Sequence, residues 1–192
     1  MLNDLGYLTG VMLGDGYLDK HKSHYAIRLE TTDKRFAERF KESLSRLSEN
    51  KIFLYVWDRN THIYTRYYSM HYYCVKNYDK KLFSKLQELK ELFLISKCNF
   101  DIDFMLSLLI GFYESEGCYC NYKNNYYYIS FTNKNKNLLD KISAILSKFG
   151  IQISGIYFTE SKNEHWANWH LYIYRQNEVE KFLNLIGENK NE

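Results

Sequence analysis

The chain has 192 residues, of which 45% are apolar and 26% are charged, so it can form one globular domain or two small ones with a substantial core. The apolar fraction, together with 18% aromatic residues, excludes a disordered chain. No apolar run reaches the roughly 18 residues that a membrane span needs, and the N-terminus has no basic segment followed by a long apolar one. We therefore expect no membrane partner and an intracellular protein, either cytoplasmic in a prokaryote or inside an organelle.

Charge is distributed unevenly along the chain. The net charge is +3, but residues 1–100 carry +5 and residues 101–192 carry −2, and six arginines lie between Arg28 and Arg66. Tyrosine is common, with 19 copies. Strands rich in tyrosine and arginine suit a surface that contacts nucleic acid, although a tyrosine-rich structural sheet explains the composition equally well. The four cysteines show no zinc-binding spacing, which indicates reduced thiols.

One sequence pattern occurs twice. Residues 8–16 read Leu-Thr-Gly-Val-Met-Leu-Gly-Asp-Gly and residues 109–117 read Leu-Ile-Gly-Phe-Tyr-Glu-Ser-Glu-Gly, at an offset of 101. Further along, residues 28–36 match residues 130–138 at an offset of 102, and the apolar positions of the segment that follows keep that offset. A drift of one residue indicates a single loop insertion, so we expect the chain to fold as two copies of one unit.

The apolar periodicity predicts the same series of elements in both halves. In the first half it predicts helix 5–13, strands 17–20 and 25–31, helix 33–47 capped by Asp33, strands 53–57 and 63–73 joined by a turn at 58–61, and a helix from 79 or 80 to 94. In the second half it predicts helix 103–115, strands 118–122 and 126–132, helix 135–149, strands 153–159 and 169–174, and helix 178–186. The predicted fold class is α+β, with two αββαββα repeats at residues 1–98 and 99–192 that pack tightly.

Each copy of the pattern ends in an acidic residue followed by glycine. Asp15 and Glu116 both follow a helix that carries a glycine five residues earlier, Gly10 and Gly111. Glycine lets two helix backbones approach closely, so paired repeats would bring the two carboxylates together. Adjacent carboxylates repel unless a cation lies between them, and hard oxygen ligands suit Mg²⁺. Metal-held carboxylates fit phosphodiester hydrolysis, whereas a helix cap and turn is the simpler interpretation of either motif taken alone.

On these two motifs and the matching strand patterns, the chain resembles the LAGLIDADG homing endonucleases, in their compact single-chain form with two motifs, from Leu5 to Ile186. The resemblance implies two pseudo-symmetric αββαββα repeats that form a DNA-binding β-saddle. It implies an intron-encoded hydrolase that cuts both strands of double-stranded DNA across the minor groove with a divalent metal. It also implies a long target that is asymmetric or semi-palindromic. Because both repeats lie in one chain, we expect a monomer.

The resemblance also assigns a metal site. Asp15 and Glu116 match the metal-binding acids of the family, and the carbonyl groups of Gly14 and Ser115, which precede them, would complete the ligand set. Mg²⁺ is the expected cofactor, with Mn²⁺ also supporting cleavage and Ca²⁺ supporting binding only.

A polar pair after the second strand is implied by the same resemblance. Asn133 and Lys134 match residues that order water and stabilise the scissile phosphate in the family. Their first-half counterparts are Thr31 and Thr32, where family members often carry Gln and Lys. We therefore count Thr31 with Asn133 and Lys134 among the catalytic candidates, and the departure suggests unequal cleavage rates for the two DNA strands.

Side chains on one face of the predicted strands are candidates for contacts with base edges, because a two-stranded ribbon fits the major groove. Strand parity and the second hairpins select Asp19, His21, His24, Arg28, Arg59, Arg66, Tyr122, Tyr126, Tyr128, Ser130 and Lys162. For any single one, an exposed residue with no role in binding is the simpler alternative. The lysines between Lys76 and Lys90 are interpreted as a solvated helix face.

Two functions remain open from the sequence. The first is a site-specific double-strand DNA endonuclease, which the intact pair of acids and Lys134 favour. The second is an intron-encoded RNA maturase, or a DNA-binding protein of the same fold that does not cleave, which Thr31 and Thr32 favour slightly. Intron RNA is therefore a second candidate partner beside DNA.

Overall fold

The computed structural model describes the backbone of residues 3–63, 66–95, 100–122, 126–161 and 166–187. Within these ranges it also describes the side chains, except those of residues 59–63, 66–70, 122, 161 and 166. The first half contains α1 Asp4–Leu13, β1 Gly16–His21, β2 His24–Thr31, α2 Lys34–Leu47, β3 Phe53–Ile63, β4 Arg66–Asn77 and α3 Lys80–Ile95. The second contains α4 Ile102–Glu116, β5 Gly117–Tyr122, β6 Tyr126–Asn133, α5 Lys136–Lys148, β7 Gly155–Ser161, β8 Trp166–Ile173 and α6 Gln176–Ile186. No helix in these ranges is long and apolar enough to cross a membrane.

Each half builds a four-stranded sheet with the same topology. The strand order is β1-β2-β4-β3 in the first sheet and β5-β6-β8-β7 in the second, and all pairs are antiparallel. The predicted α+β class with two αββαββα repeats is therefore confirmed. The same order in both sheets makes each strand of one half the counterpart of a defined strand in the other.

The one-residue drift between the repeats lies in the first hairpin of each half. Gly16 pairs with Leu29 in the first sheet and Gly117 with Phe131 in the second, so both ladders begin at equivalent residues. The first ladder ends with His21 opposite His24, which leaves a two-residue turn, whereas the second ends at Tyr122 and Tyr126, which leaves three residues. The one extra residue of the second half therefore lies between β5 and β6.

The second hairpin of the first half corrects the sequence prediction. A turn was predicted at residues 58–61, but these residues belong to β3, where Asp58 pairs with His71 and the ladder continues to Ile63 opposite Arg66. The polar run of Asp, Arg, Asn and Thr resembles a turn locally, but cross-strand pairing with a tyrosine-rich partner strand extends the ladder past it. The ladder of the second half ends earlier, with Ser161 opposite Trp166, which corresponds to Arg59 opposite Met70 in the first half.

The helices bury one face on one side of each sheet, which we call the core face. In the first half Ile27 and Leu29 of β2 are buried in one cluster with apolar residues of α1, α2 and α3. Helix α2 begins as predicted, because the Asp33 carboxylate accepts hydrogen bonds from the backbone N–H groups of Arg35 and Phe36 at 2.8 and 3.2 Å. The other side of each sheet, the outer face, carries the alternate residues of every strand.

The chain divides into two compact units, residues 1–111 and 112–192. The first part of α4 belongs to the first unit, where it packs closely on α1. A Cβ added to Gly6 would lie 2.6 Å from the Phe104 carbonyl oxygen, and one added to Gly111 would overlap the Tyr7 carbonyl oxygen and lie 3.1 Å from the Val11 nitrogen. Gly111 thus allows the close approach of two helix backbones that the sequence predicts, and Gly6 does the same. The repeat boundary between residues 98 and 99 stays a prediction.

Candidate functional site

Asp15 lies where α1 turns directly into β1. The helix ends with the Gly14 N–H donating to the Val11 carbonyl oxygen at 3.1 Å, and Gly16 already pairs in the sheet. A Cβ on Gly16 would overlap the Met12 side chain and lie 2.9 Å from the Val11 carbonyl oxygen. Glycine after the acid therefore lets the chain enter the strand within two residues of the helix end, and this fixes the position of Asp15.

The second motif is built in the same way. Glu116 is the last residue of α4, and Gly117 begins β5. A Cβ on Gly117 would lie 2.5 Å from the carbonyl oxygen of Tyr113, which is the counterpart of Met12. Because this close turn occurs in both halves, both motifs need a glycine directly after the acid. An ordinary helix cap does not require a strand to begin at that glycine.

The Asp15 carboxyl group is accessible at the surface, but its surroundings withdraw part of its hydration. Desolvation by burial raises the pKa of Asp15 above its ordinary value. Ionised Asp15 is therefore costly in the protein alone, and a cation at the carboxylate would offset that cost. In each motif the acid and the carbonyl group before it offer hard oxygen donors at the negative end of a helix dipole. This donor set fits Mg²⁺, Mn²⁺ or Ca²⁺ better than a soft metal.

No group of three or more His, Cys, Asp or Glu residues that could hold a metal ion occurs in the part of the chain that the structure describes. The donors proposed in each motif are therefore the acid before the glycine and the backbone carbonyl group that precedes that acid.

The second unit brings two of the predicted site residues together. The Asn133 side-chain amide donates a hydrogen bond to Glu116 Oε1 at 2.8 Å. Its own Oδ1 accepts from the backbone N–H of Asn135 at 2.9 Å, which fixes the rotamer of the amide. Asn133 thus orients the Glu116 carboxylate, and the exposed Lys134 follows it in the chain.

Thr31, the counterpart of Asn133, shares only half of this role. Its hydroxyl oxygen accepts from the Asp33 N–H at 3.0 Å, as Asn133 Oδ1 does from Asn135. Thr31 has no amide group like that of Asn133, which donates to the acid of its own repeat. The two acids therefore have different neighbours, and unequal cleavage rates for the two strands stay a prediction.

Lys90 is a residue near the first acid that the sequence analysis assigned to a solvated helix face. Its Nζ instead donates a hydrogen bond to the Met12 carbonyl oxygen at 2.6 Å, close to the C-terminus of α1, and burial lowers the pKa of Lys90. Lys90 follows the buried Leu82 and Leu86 at helical spacing, and this spacing was the available sequence signal. A cation here stabilises the negative end of the α1 dipole.

Replacing Lys90 with Met is expected to lower the free energy of unfolding by about 1–2 kcal/mol, because the substitution keeps the apolar stem and leaves the Met12 carbonyl group unpaired. Lys85→Met on the same helix is the matched control. Lys85 is exposed and pairs with Glu88 at 3.0 Å, so its loss should cost less than about 0.5 kcal/mol. Urea unfolding of both variants checks this, and equal losses would contradict the role given to Lys90.

The outer face of the first sheet gathers several of the predicted contact residues. A cavity of about 140 Å³ is lined by Asp19, His21, His24, Ala26, Arg28, Lys76 and Tyr78. Sequence parity along β1 and β2 predicted Asp19, His21, His24 and Arg28 as contact residues. Lys76 was wrongly assigned to a solvated helix face, since it lies in β4 and pairs with Arg28. Tyr78 was not selected. The place of both depends on the pairing of β4 with β2.

Arg28 is not free on this surface. Its guanidinium group forms an ion pair with Glu30, its neighbour on the same face, and this hydrogen bond raises the pKa of Arg28. Each side chain of the pair is about one-third exposed, 35% and 33%. Arg28 can therefore reach a base or phosphate only by exchanging this partner or by sharing it.

The equivalent region of the second sheet is aromatic. A cavity of about 210 Å³ on its outer face is lined by Tyr126, Tyr128, Tyr172 and Tyr174. Ser130, predicted beside them, is only 8% exposed. Tyr122 ends β5, and Arg59 and Arg66 lie on the long β3–β4 ladder, with side chains outside the described set. Lys162 lies outside the described residues.

Two thiols, those of Cys118 and Cys120, lie on the outer face of β5. The sulfur atoms of Cys118 and Cys120 are 3.0 Å apart, and burial, followed by the contact with Cys120, raises the pKa of Cys118 to about 11.

Cys118 should therefore react slowly with iodoacetamide, since only the thiolate is nucleophilic. At pH 8 a thiol with this pKa is ionised about a hundred times less than an ordinary exposed cysteine. Its alkylation rate should rise about tenfold per pH unit until the pH passes the raised pKa. Peptide mapping by mass spectrometry at several pH values measures this, with Cys120→Ser as the control that removes the second cause. Labelling at pH 8 as fast as free cysteine would contradict it.

The chain matches a family model for a LAGLIDADG-like domain at residues 3–71 and 103–187. It is 34% identical over 168 residues to the uncharacterized protein MJ0314 of Methanocaldococcus jannaschii. The alignment covers 86% of this chain and 60% of that protein, so the chain spans about three-fifths of the length of this curated relative.

Solved structures share the fold. The homing endonuclease I-DmoI in complex with DNA and Ca gives a TM-score of 0.67 at 20% identity, over 95% of this chain and 88% of that chain. An I-DmoI variant with its target DNA and Mn gives 0.65 at 19%, over 94% and 91%. Full-length DUF199/WhiA from Thermatoga maritima gives 0.66 at 18%, over 98% and 57%. The description of this last protein names no nuclease.

Proposed function

The chain belongs to the LAGLIDADG-like family, and from this premise we propose that it is a site-specific DNA endonuclease that hydrolyses both strands of a duplex across the minor groove with a divalent metal. The observation that carries the proposal is the pair of acids at matching helix-to-strand junctions, one of them oriented by Asn133. A helix cap alone would not require the Asn133 side chain to donate a hydrogen bond to Glu116.

The proposed metal ligands are Asp15 and the Gly14 carbonyl group in the first repeat, and Glu116 and the Ser115 carbonyl group in the second. A bound Mg²⁺ or Mn²⁺ would supply Lewis acidity for the attacking water and for the leaving oxygen. Asn133 donates a hydrogen bond to Glu116 Oε1 and so orients the carboxylate. Lys134 is exposed and carries a positive charge that can neutralise the scissile phosphate, whereas Thr31, the counterpart of Asn133, has no amide group to donate to Asp15.

The substrate in this proposal is double-stranded DNA with a long asymmetric target. Support comes from the outer faces, since the first is lined by charged side chains and the second by tyrosines. Two different reading surfaces in one chain need two different half-sites, and a monomer suffices because each repeat supplies one acid. Binding should weaken steeply with salt, as counterion release requires.

A binding protein without cleavage is the second candidate, because Thr31 lacks the amide that Asn133 provides and because the fold occurs in DUF199/WhiA. An intron RNA is the alternative ligand in that case.

One experiment separates the candidates. A random duplex library is incubated with the chain in Ca²⁺ and in Mg²⁺, with EDTA as control, and both retained and cut DNA are sequenced. An endonuclease retains one long motif in Ca²⁺ and cuts the same motif in Mg²⁺. Retention in both metals without new ends would overturn cleavage and favour the binding role, for which stimulation of intron RNA splicing is the next assay.

A further inference from the structure

The two outer-face cavities occupy equivalent positions in their sheets. Ile27 pairs with Asn77 in the first sheet, and Ile129 pairs with Ile173 in the second. On the next rung of each sheet, Arg28 opposite Lys76 corresponds to Ser130 opposite Tyr172. A basic pair in one repeat is thus replaced by a hydroxyl and an aromatic ring in the other.

The chemistry of the two cavities differs as a result. The first is lined by side chains that carry or can carry charge, including Arg28, Lys76 and Asp19. The second, which we call the tyrosine cavity, is lined by Tyr126, Tyr128, Tyr172 and Tyr174 alone. A ligand group that fills the tyrosine cavity therefore meets ring edges and ring faces rather than a formal charge.

The rings of the tyrosine cavity are packed against one another. Tyr172 stacks on Tyr174 with centroids 4.9 Å apart and an interplanar angle of 13°. Tyr128 meets Tyr172 edge to face at 5.9 Å and Tyr174 at 5.4 Å. Mutual packing of this kind holds the rings in place before a ligand arrives, which lowers the entropy lost on binding.

Three phenol groups of the tyrosine cavity are held in the protonated form. A hydrogen bond with Cys120, together with burial, raises the pKa of Tyr128 to about 12, and burial raises the pKa of Tyr172 and of Tyr174. These three side chains therefore present neutral groups at the pH at which DNA binding would be measured.

Base edges in the major groove offer one apolar group, the 5-methyl group of thymine. Guanine presents two acceptors that arginine or lysine satisfies, and the tyrosine cavity has neither residue. On the basis of the proposed function, we propose that the tyrosine cavity selects thymine in one half-site through its 5-methyl group, whereas the charged cavity of the first sheet does not.

The effect is measurable with uracil, which pairs like thymine and lacks only the methyl group. Burying one methyl group changes an equilibrium constant by a factor of about four. Replacing a thymine in the tyrosine-read half-site with deoxyuridine should therefore weaken binding about fourfold, and the same replacement in the other half should change it by less than about 1.5-fold.

The test starts from the target selected in Ca²⁺, synthesised with deoxyuridine in one half or the other, and uses the full chain. Two variants accompany it. Tyr172→Lys installs the residue that the first sheet has at the same rung, and Tyr174→Phe keeps the ring and removes the hydroxyl group. Dissociation constants from a titration are compared for all duplexes.

We expect that deoxyuridine weakens binding of the wild type in one half-site only. Tyr174→Phe should keep this sensitivity, and Tyr172→Lys should lose it. On reselection, Tyr172→Lys should prefer guanine in that half-site. Equal sensitivity of both halves, or of neither, overturns the proposal. Loss of the thymine preference in Tyr174→Phe also overturns it, because recognition would then depend on a hydroxyl hydrogen bond. If no duplex is selected at all, the proposed DNA function itself fails, and that outcome is distinct from the others.

Discussion

Asp15→Asn is expected to lower the rate of cleavage of at least one DNA strand at least a hundredfold, and to leave affinity for the target in Ca²⁺ within about threefold. The amide has the shape of the carboxylate but no charge with which to hold a divalent cation. Burial raises the pKa of Asp15, so its ionised form gains more from a bound cation than that of a fully hydrated carboxylate would. Strand-specific nicking, followed on duplexes labelled on one strand at a time, measures the effect.

Asp140→Asn is the control for this prediction. This substitution removes the same charge from the surface of α5, where Asp140 pairs with Lys136 at 3.0 Å. The cleavage rate of the Asp140→Asn variant should match that of the wild type. Full cleavage of both strands by Asp15→Asn would remove Asp15 from the metal site. A large loss of affinity in Ca²⁺ would instead indicate that Asp15 shapes the binding surface.

Gly111→Ala is expected to lower the free energy of unfolding by about 2–3 kcal/mol. The new methyl group would overlap the Tyr7 carbonyl oxygen and crowd the Val11 nitrogen, and both belong to a helix backbone that cannot rotate away. In a helix, alanine is more favourable than glycine by about 1 kcal/mol. A net decrease in the free energy of unfolding therefore means that the steric clash exceeds this gain. Urea unfolding monitored by circular dichroism gives the value.

Gly150→Ala provides the comparison for Gly111→Ala. Gly150 follows α5 with a φ of +72°, and nothing lies within 4 Å of an added Cβ, so only the left-handed backbone conformation is penalised, by about 1 kcal/mol. If Gly111→Ala costs no more than Gly150→Ala, then the close contact between α1 and α4 does not hold in solution.

Local sequence rules account for most of the helices and for the repeat. Asp33 caps α2 because its carboxylate reaches two free N–H groups one turn ahead, and this interaction depends on residues within a few positions. The β3–β4 turn was misplaced for the opposite reason. The run from Asp58 to Thr61 is polar and typical of a turn, and only pairing with β4, across the hairpin, keeps it in the strand.

In the candidate site, too, the residues set by local sequence could be predicted, and those set by strand register could not. The acid and glycine of each motif could be found by comparing the chain with itself, because the helix-to-strand turn leaves room for no other residue after the acid. Lys76 and Tyr172 could not be assigned to the outer cavities, since their face depends on the register of β4 with β2 and of β8 with β6. Register between strands far apart in sequence is set by packing and not by local pattern.

The most direct test of the account is the cleavage of a complex double-stranded DNA library in Mg²⁺, with the new ends read by sequencing, by the wild type and by an Asp15→Asn/Glu116→Gln double variant. The account predicts new ends that cluster at one long motif with the wild type and no such ends with the double variant, while both proteins retain that motif in Ca²⁺. The same ends from both proteins, or retained DNA without ends from the wild type, would contradict metal-dependent cleavage by these two acids.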